Sequence, residues 1–423
     1  MKAPQVLHSN TIRAAAGCHR LPKTEGLCGG GRPWGIHTYR TLEQIRGIRP
    51  AWETLKTETC SDKDIEADFK RYVGVVESTS DCEPYTLLAF KDGKPHALLA
   101  ATRVSTKIPC KLGYLNLFKP SLQGISIIYG GYLGCFDEDT CHKLLGHMYT
   151  AIRNGEADVI MFKQLPLRHP LYTSFRKDYP MLCRSHFPKI DEHWQMPVPN
   201  RMESFYLQHS SKTRQTLKRQ LRRLESHFQV RLAECTDSDR LPEILPQIEM
   251  ISERTYQYAL GWGLVNDAGT LKQLLTAAQN GWLRLHLLYL NDEPCAFQFG
   301  LRYKGTYFLK QMGFNPKMKQ WQPGTGLFLK VLERLCDDPA VNCFDFGFGD
   351  AEYKRRFGTR SWNEASLYIF APRVYPVWVN TIHTAVCGLS KEMRFLARKT
   401  GLEEKIKRKW RNRLQNRYHL HSA

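Results

Sequence analysis

The chain has 423 residues, 42% of them hydrophobic, enough apolar material for two or three packed domains and too much for wholesale disorder. Its 61 Lys and Arg against 41 Asp and Glu leave a net charge of +20, which favours anionic partners such as phosphates, nucleic acid, anionic glycans or a membrane surface. Thirteen scattered cysteines, odd in number and without a CxxC pair, argue against a disulfide framework or a common zinc site and fit a reducing compartment.

Residues 1–36, broken by Lys, Arg, Glu, Gly and Pro, predict a flexible segment with no export signal. A first α/β unit is expected over 37–200. In it Leu87-Leu-Ala-Phe-Lys-Asp-Gly-Lys-Pro-His-Ala97 reads as a hairpin. A strand (Ser126–Tyr132), a helix (Thr140–Ile152) and another strand (Asp158–Lys163) follow. About two hundred residues on, Leu287-Leu-Tyr-Leu-Asn-Asp-Glu-Pro-Cys-Ala296 repeats the hairpin, shorter by one turn residue, and Tyr307–Phe314, Leu327–Leu335 and Val341–Phe348 repeat the order. The expected architecture is therefore two copies of one α/β domain with mixed sheets, the second over 201–385. His96 and His286 fall in the paired hairpins and read as strand histidines, and no metal site is expected. Trp262, Trp282 and Trp321 suit a sugar groove or core packing equally.

Two basic segments carry most of the surplus charge. Lys212 to Arg223 holds six basic residues and no acid, and Lys391 to Ala423 holds eleven against three acids, so together they supply 14 of the 20 charges. Leu217, Leu221, Leu224 and Phe228 give the first an oily helical face behind an N-cap at Ser210 or Ser211. Leu402, Ile406, Trp410 and Leu414 give the same to a C-terminal helix expected over 386–423. Each helix either docks on a core and shows a solvated basic face, or offers an electrostatic landing strip to tRNA, a glycan or anionic lipid. No run reaches the roughly 20 apolar residues of a spanning helix, Gly124–Phe136 and Val374–Leu389 being short or interrupted. A cytoplasmic protein is expected, with peripheral contact at the inner membrane face left open.

Chemistry concentrates in the second copy. Gln320-Trp-Gln-Pro-Gly-Thr-Gly326 feeds a helix N-terminus, where backbone N–H groups and the dipole suit a pyrophosphate, and Gly324 and Gly326 allow close approach. Phe344-Asp-Phe-Gly-Phe-Gly-Asp-Ala-Glu-Tyr-Lys-Arg-Arg-Phe-Gly358 puts Phe344, Phe346 and Phe348 on one strand face and Asp345 on the other. Lys354 and Arg355 are natural partners for that carboxylate, either as a fastening of strand to helix or as part of a site. The glycines at 347 and 349 are not a dinucleotide fingerprint, because Glu352 stands at the third position. No P-loop and no GxSxG elbow occurs.

The run Pro323-Gly-Thr-Gly-Leu327, followed by the Phe344–Gly358 segment and preceded by the basic helix from Lys212, resembles the CelD/FemAB-like acyltransferases of the GNAT (acyl-CoA N-acyltransferase) superfamily over roughly Arg201 to Pro372. The resemblance implies tandem GNAT-like domains, the first degenerate, and an acyl-CoA donor, acetyl-CoA in the simplest case, lying in a cleft between two central strands. It implies backbone contacts to the donor around Gln311, Met312 and Gly313 and a diphosphate at Gln322, Gly324, Thr325 and Gly326. It implies direct attack by an amine or hydroxyl of a sugar, polysaccharide or envelope precursor, with Tyr353 as general acid, Asp345 as base or orienting group, and Lys354 and Arg355 as positive charge. Two departures stand out: Trp321 lies three residues before Gly324 where the superfamily keeps Gln or Arg, and no Glu lies on Tyr307–Phe314. FemAB-type enzymes use aminoacyl-tRNA instead, and a catalytically dead basic binding protein is the reading from another class.

Overall fold

The computed structural model describes residues 34–59, 64–113, 115–255, 258, 261 and 263–399. Its strands are β1 (Trp34–Tyr39), β2 (Cys82–Lys91), β3 (Lys94–Lys107), β4 (Cys110–Leu112), β5 (Leu115–Phe118), β6 (Ser121–Gly134), β7 (Val159–Pro166), β8 (Lys189–Pro197), β9 (Val230–Cys235), β10 (Leu283–Leu290), β11 (Glu293–Tyr303), β12 (Thr306–Phe314), β13 (Cys343–Phe348) and β14 (Arg360–Phe370). Twelve of them form one mixed, mostly antiparallel sheet in the order β1-β2-β3-β6-β7-β14-β8-β13-β12-β11-β10-β9, while β4 and β5 pair apart. Helices cover both faces, as expected of an α/β chain with alternating elements.

The internal repeat holds down to its bulges. Asp92 and Gly93 in one hairpin, and Asn291 and Asp292 in the other, all have positive φ, the conformation of a two-residue type I′ turn. The ladder slips once in each, between Ala89 and Phe90 and between Leu288 and Tyr289, beside Pro95 and Pro294. Both turns thus have two residues. The one-residue difference expected between them disappears, because Leu88 is matched by Leu287 and not Leu87 by Leu287. Each half then closes its hairpin with a long third strand, a helix (Glu138–Arg153; Pro323–Cys336) and a parallel strand.

The two halves exchange strands. β8, which ends the first half in sequence, lies beside β13 of the second, and β14 of the second lies between β7 and β8. A division at residue 200 therefore separates the chain but not the sheet. The first strand begins at Trp34, so residues 34–36 belong to the sheet and not to a flexible segment; residues 1–33 lie outside the described residues.

Four main cores follow the two faces of each half. One packs the Glu138–Arg153 helix, another the helices of residues 42–78. In the second half Ser211–His227 and Pro323–Cys336 cover one face, and Leu241–Glu253 and Ala268–Gln279 the other. The basic helix Ser211–His227 docks as its pattern predicts: Ser210 caps it by accepting from the Thr213 amide, and Leu217 and Leu224 are buried. Val374–Lys399 forms a single 26-residue helix, so the expected start of a separate helix at 386 is not found; residues 400–423 lie outside the described residues. No helix of the described residues is long and apolar enough to cross a membrane. All cysteines among the described residues are free thiols.

Candidate active site

Two parallel strand pairs open into forks. β12 and β13 pair over Thr306–Phe308 and Cys343–Asp345 only, after which β12 runs on to Phe314 with its other edge laddered to β11. β6 and β7 pair over Gly124–Ile127 and Val159–Phe162, then part in the same way. Beyond each fork the long strand bulges: Lys310 is the extra residue on β12, and Ile128 to Gly131 bulge from β6 opposite Ala100. A strand edge freed from its ladder inside a protein presents backbone N–H and C=O groups that want partners. An extended ligand with amide groups can supply them.

Between the forks sits a buried polar constellation. His193 on β8 is 2% exposed, with Nε2 at 2.9 and 3.0 Å from the two Asp345 oxygens and Nδ1 at 3.3 Å from Glu364 Oε2 on β14. Its ring is stacked on Trp362 at 4.3 Å between centroids, and Tyr129 from the β6 bulge lies parallel on the other contact at 6.0 Å. The Tyr129 hydroxyl lies 3.2 Å from His193 Nδ1 and donates to Glu364 Oε1 at 3.0 Å, which also accepts from Trp362 Nε1 at 2.7 Å. Burial alone would lower the imidazole's pKa, but the hydrogen bonds and charges of Asp345 and Glu364 outweigh it and raise it to about 9. Asp345 is held below its ordinary range: burial opposes this, and His193, Gln195 and the Gly347 amide, which donates at 2.6 Å, overcome it.

One loop joins the two bulges. Any Cβ on Gly130, whose φ is +66°, would lie 2.4 Å from Asp64 Oδ2, so the left-handed glycine leaves the room that carboxyl occupies. Two residues on, Glu66 accepts from Lys310 Nζ at 2.6 Å and is held at about 2: burial pushes it up, and Lys310 and Arg71 pull it down. Burial and the Glu66 charge raise the Asp64 carboxyl to about 7, the range of a group that exchanges protons near neutrality.

The residues expected to form the site are divided by this geometry. Asp345 points into the His193 constellation. Tyr353, on the short helix Glu352–Phe357, is half-buried edge-on to Phe346 at 6.1 Å and packs against the core covered by the Pro323–Cys336 helix. Lys354 is buried, its ammonium donating to the Phe348 carbonyl at 2.6 Å, and burial lowers it to about 8 against the charges of Asp345 and Asp191. The expected pairing of Asp345 with Lys354 or Arg355 is thus corrected. Arg355 pairs with Asp350 at 2.6 Å, and the Asp345 partner is His193, on a neighbouring strand far away in sequence. Phe344 and Phe346 share a core face as expected, but the bulge between Asp345 and Gly347 breaks the alternation, and Phe348 turns toward the Tyr129 ring at 6.5 Å.

On β12, Gln311 and Met312 are half-buried and Gly313 is buried, a Cβ there lying 2.6 Å from Phe297. Gln322 is exposed in the left-handed conformation and opens the Pro323–Cys336 helix, with the Thr325 and Gly326 amides donating to its carbonyl at 3.0 and 3.1 Å. Gly324 and Gly326 are buried, and the space of their missing side chains faces Phe314 and Leu224. The space left by their missing side chains serves packing of strand and basic helix. Trp321 lies under Arg223 and against Phe228, and Trp282 packs against Tyr303; Trp262 lies outside the described residues. His286 is a buried strand histidine near Glu234. His96 accompanies Cys135 and Asp137 within 4.8 Å, yet Asp137 caps a helix and His96 meets Thr140 at 3.2 Å, and a helix N-terminus repels a cation.

Sequence reasoning missed His193, Gln195, Tyr129, Trp362, Glu364, Asp64 and Lys310. The available signal was the strand Asp191-Glu-His-Trp-Gln195, polar on both faces at mid-chain, where a surface strand alternates and a buried one is apolar.

Residues 211–355 match the acetyltransferase (GNAT) domain family. This part of the chain is a GNAT-type acyltransferase domain. No curated protein matches the sequence. Among solved structures, FemX is similar with a TM-score of 0.51 at 9% identity, over 79% of this chain and 97% of that one. A tandem GNAT protein from the clavulanic acid biosynthesis pathway is similar at 0.50 and 11%, over 80% of this chain and 100% of that one. L-PGS from Bacillus licheniformis reaches 0.45 at 13%, over 80% and 96%. The first two likenesses show the fold, a tandem GNAT-like arrangement, and the matched domain supports a GNAT-type acyltransferase.

Proposed function

We propose that the protein moves an acyl group, acetyl in the simplest case, from acyl-CoA to an amine or hydroxyl of a sugar, polysaccharide or envelope precursor. The carrying observation is the fork that opens after Phe308 and Asp345 inside the GNAT-matching segment. In this reading the amide-bearing arm of the donor pairs with the freed edge of β12 around Gln311, Met312 and Gly313, and the diphosphate meets the exposed rim of the helix start at Gln322 and Thr325. The acceptor nitrogen attacks the thioester carbonyl, the C–S bond breaks, and the phenol of Tyr353 gives its proton to the departing thiolate. The proton that the acceptor nitrogen loses as the amide forms then restores the phenol. Asp345 is saturated with hydrogen bonds and held at low pKa, so it serves as a positioning residue through His193 and not as the base. Lys354, buried near neutrality, supplies positive charge beside the fork. The acceptor class rests on the resemblance of the Phe344–Gly358 segment to CelD-like enzymes.

Titration of the chain with acetyl-CoA in a calorimeter tests the donor, and saturable heat is the expected result. Replacing Tyr353 by Phe is expected to slow transfer by roughly 10²–10⁴-fold with donor affinity retained. Absence of heat together with salt-steep binding of tRNA moves the donor to an aminoacyl-tRNA, and unchanged turnover removes Tyr353 from the acid role.

A further inference from the structure

The large apolar side chains left exposed are not scattered. Most lie on the Val374–Lys399 helix and on the two segments that flank it. The helix has a buried face of mixed polarity and an exposed apolar stripe. Pro376, Val379, Asn380, His383 and Ser390 face inward and are buried. Tyr375, Trp378, Ile382, Ala385, Leu389 and Met393 recur at steps of three and four on the outward side, with Trp378 51% and Leu389 55% exposed. On one flank the β4–β5 hairpin is tied to the helix by the Gly113 amide, which donates to Ser390 Oγ at 3.0 Å, and by Phe118 against Trp378 at 6.0 Å. That hairpin carries Leu115 and Leu117 outward, 68% and 54% exposed. On the other flank Asn380 donates to the carbonyls of Leu182 and Arg184, and Met181 and Leu182 stand 68% and 66% exposed.

Exposed apolar side chains gathered on one helix and its two flanks, on a protein that is not short of core, mark a docking surface. Its charge identifies the occupant. Lys111 and Lys119 border the hairpin and Lys399 the C-terminal end of the helix stripe, all exposed, while Lys391 lies over the Phe187 ring on the other side of the helix. The sequence continues with a strongly basic stretch, giving eleven basic residues against three acids over 391–423. Trp and Tyr beside apolar residues, with lysines at the border, is a composition that settles at a headgroup boundary, and the helix is not apolar enough to span. We propose that this face, built from the Val374–Lys399 helix, the β4–β5 hairpin and residues 181–182, seats the protein on an anionic lipid bilayer surface. The helix lies in the plane of the interface, Trp378 and the two hairpin leucines enter it, and Lys111, Lys119 and Lys399 meet the lipid phosphates. The proposal does not depend on the donor or acceptor of the acyl transfer.

Flotation of the full chain with phosphatidylcholine vesicles, with and without phosphatidylglycerol, tests it. Binding is expected to the anionic vesicles and not to phosphatidylcholine alone at moderate salt. The exposed-residue variant Leu115→Ser/Leu117→Ser/Trp378→Ser, checked for an unchanged urea unfolding midpoint, is expected to lower the bound fraction by about tenfold or more. No flotation with anionic vesicles at low salt overturns the proposal. Flotation unchanged by the apolar variant also overturns it, since charge alone would then carry the binding. A dimer in sedimentation equilibrium that the same variant dissolves assigns the face to a second copy of the chain and overturns it as well.

Discussion

His193 is a cation locked among carboxyls, and its protonation is coupled to the folded state. A group whose pKa rises on folding from 6.5 to about 9 contributes stability in full below about pH 6.5 and loses it as pH climbs through about 9. Asp345, lowered from 3.8, contributes above that value and is lost only in stronger acid. The urea midpoint of the natural chain is therefore expected to fall between about pH 7 and pH 9 by an amount equivalent to about 2 kcal/mol. Asp345→Asn is expected to cost about 3–5 kcal/mol near neutrality and to flatten much of that slope, because it leaves the imidazolium with half its compensation. A pH profile identical in both proteins contradicts the arrangement. At this scale the sequence offered Asp345 as important but supplied only neighbours in the chain as partners. Lys354 and Arg355 are near in sequence; His193 is near only because β8 comes to lie beside β13.

The elements were the most legible level. Hydrophobic periodicity and turn residues locate both hairpins, the third strands, the helices after them and the basic helix, since each of these is decided within a dozen residues. Bulges were not legible, being set by what lies across the sheet: Lys310 bulges toward Glu66, and Gly130 leaves space for Asp64. The glycines of the Pro323–Gly326 turn show the same limit. A missing side chain signals close approach, but sequence does not say of what, and here Phe314 and Leu224 are what come close. Leu224 joins the basic helix to the helix whose start is proposed to receive the diphosphate. Leu224→Ala is expected to lower unfolding stability by about 2–4 kcal/mol. Exchange of the exposed Lys212, Arg219 and Arg222 for Gln is expected to stay within about 0.5 kcal/mol. Chemical denaturation of the two variants side by side checks the contrast, and equal losses would contradict the docked reading of this helix.

In the whole molecule the duplication was visible but the exchange of strands was not, because nothing in β8 or β14 names the partner strand. With β14 between β7 and β8, neither half owns a finished sheet. Calorimetry is expected to give one cooperative unfolding transition, and a fragment of residues 201–423 expressed alone is expected to stay unfolded until residues 1–200 are supplied in the same cell. A fragment with a sharp melting transition of its own contradicts this. The same exchange sets a timetable for synthesis. β7 leaves the ribosome with one edge open, and the strand that covers it begins only at residue 360. At ordinary elongation rates that edge waits about 10–40 s, so a nascent chain of this kind depends on chaperones for the interval, and its last-made strand seals both halves at once.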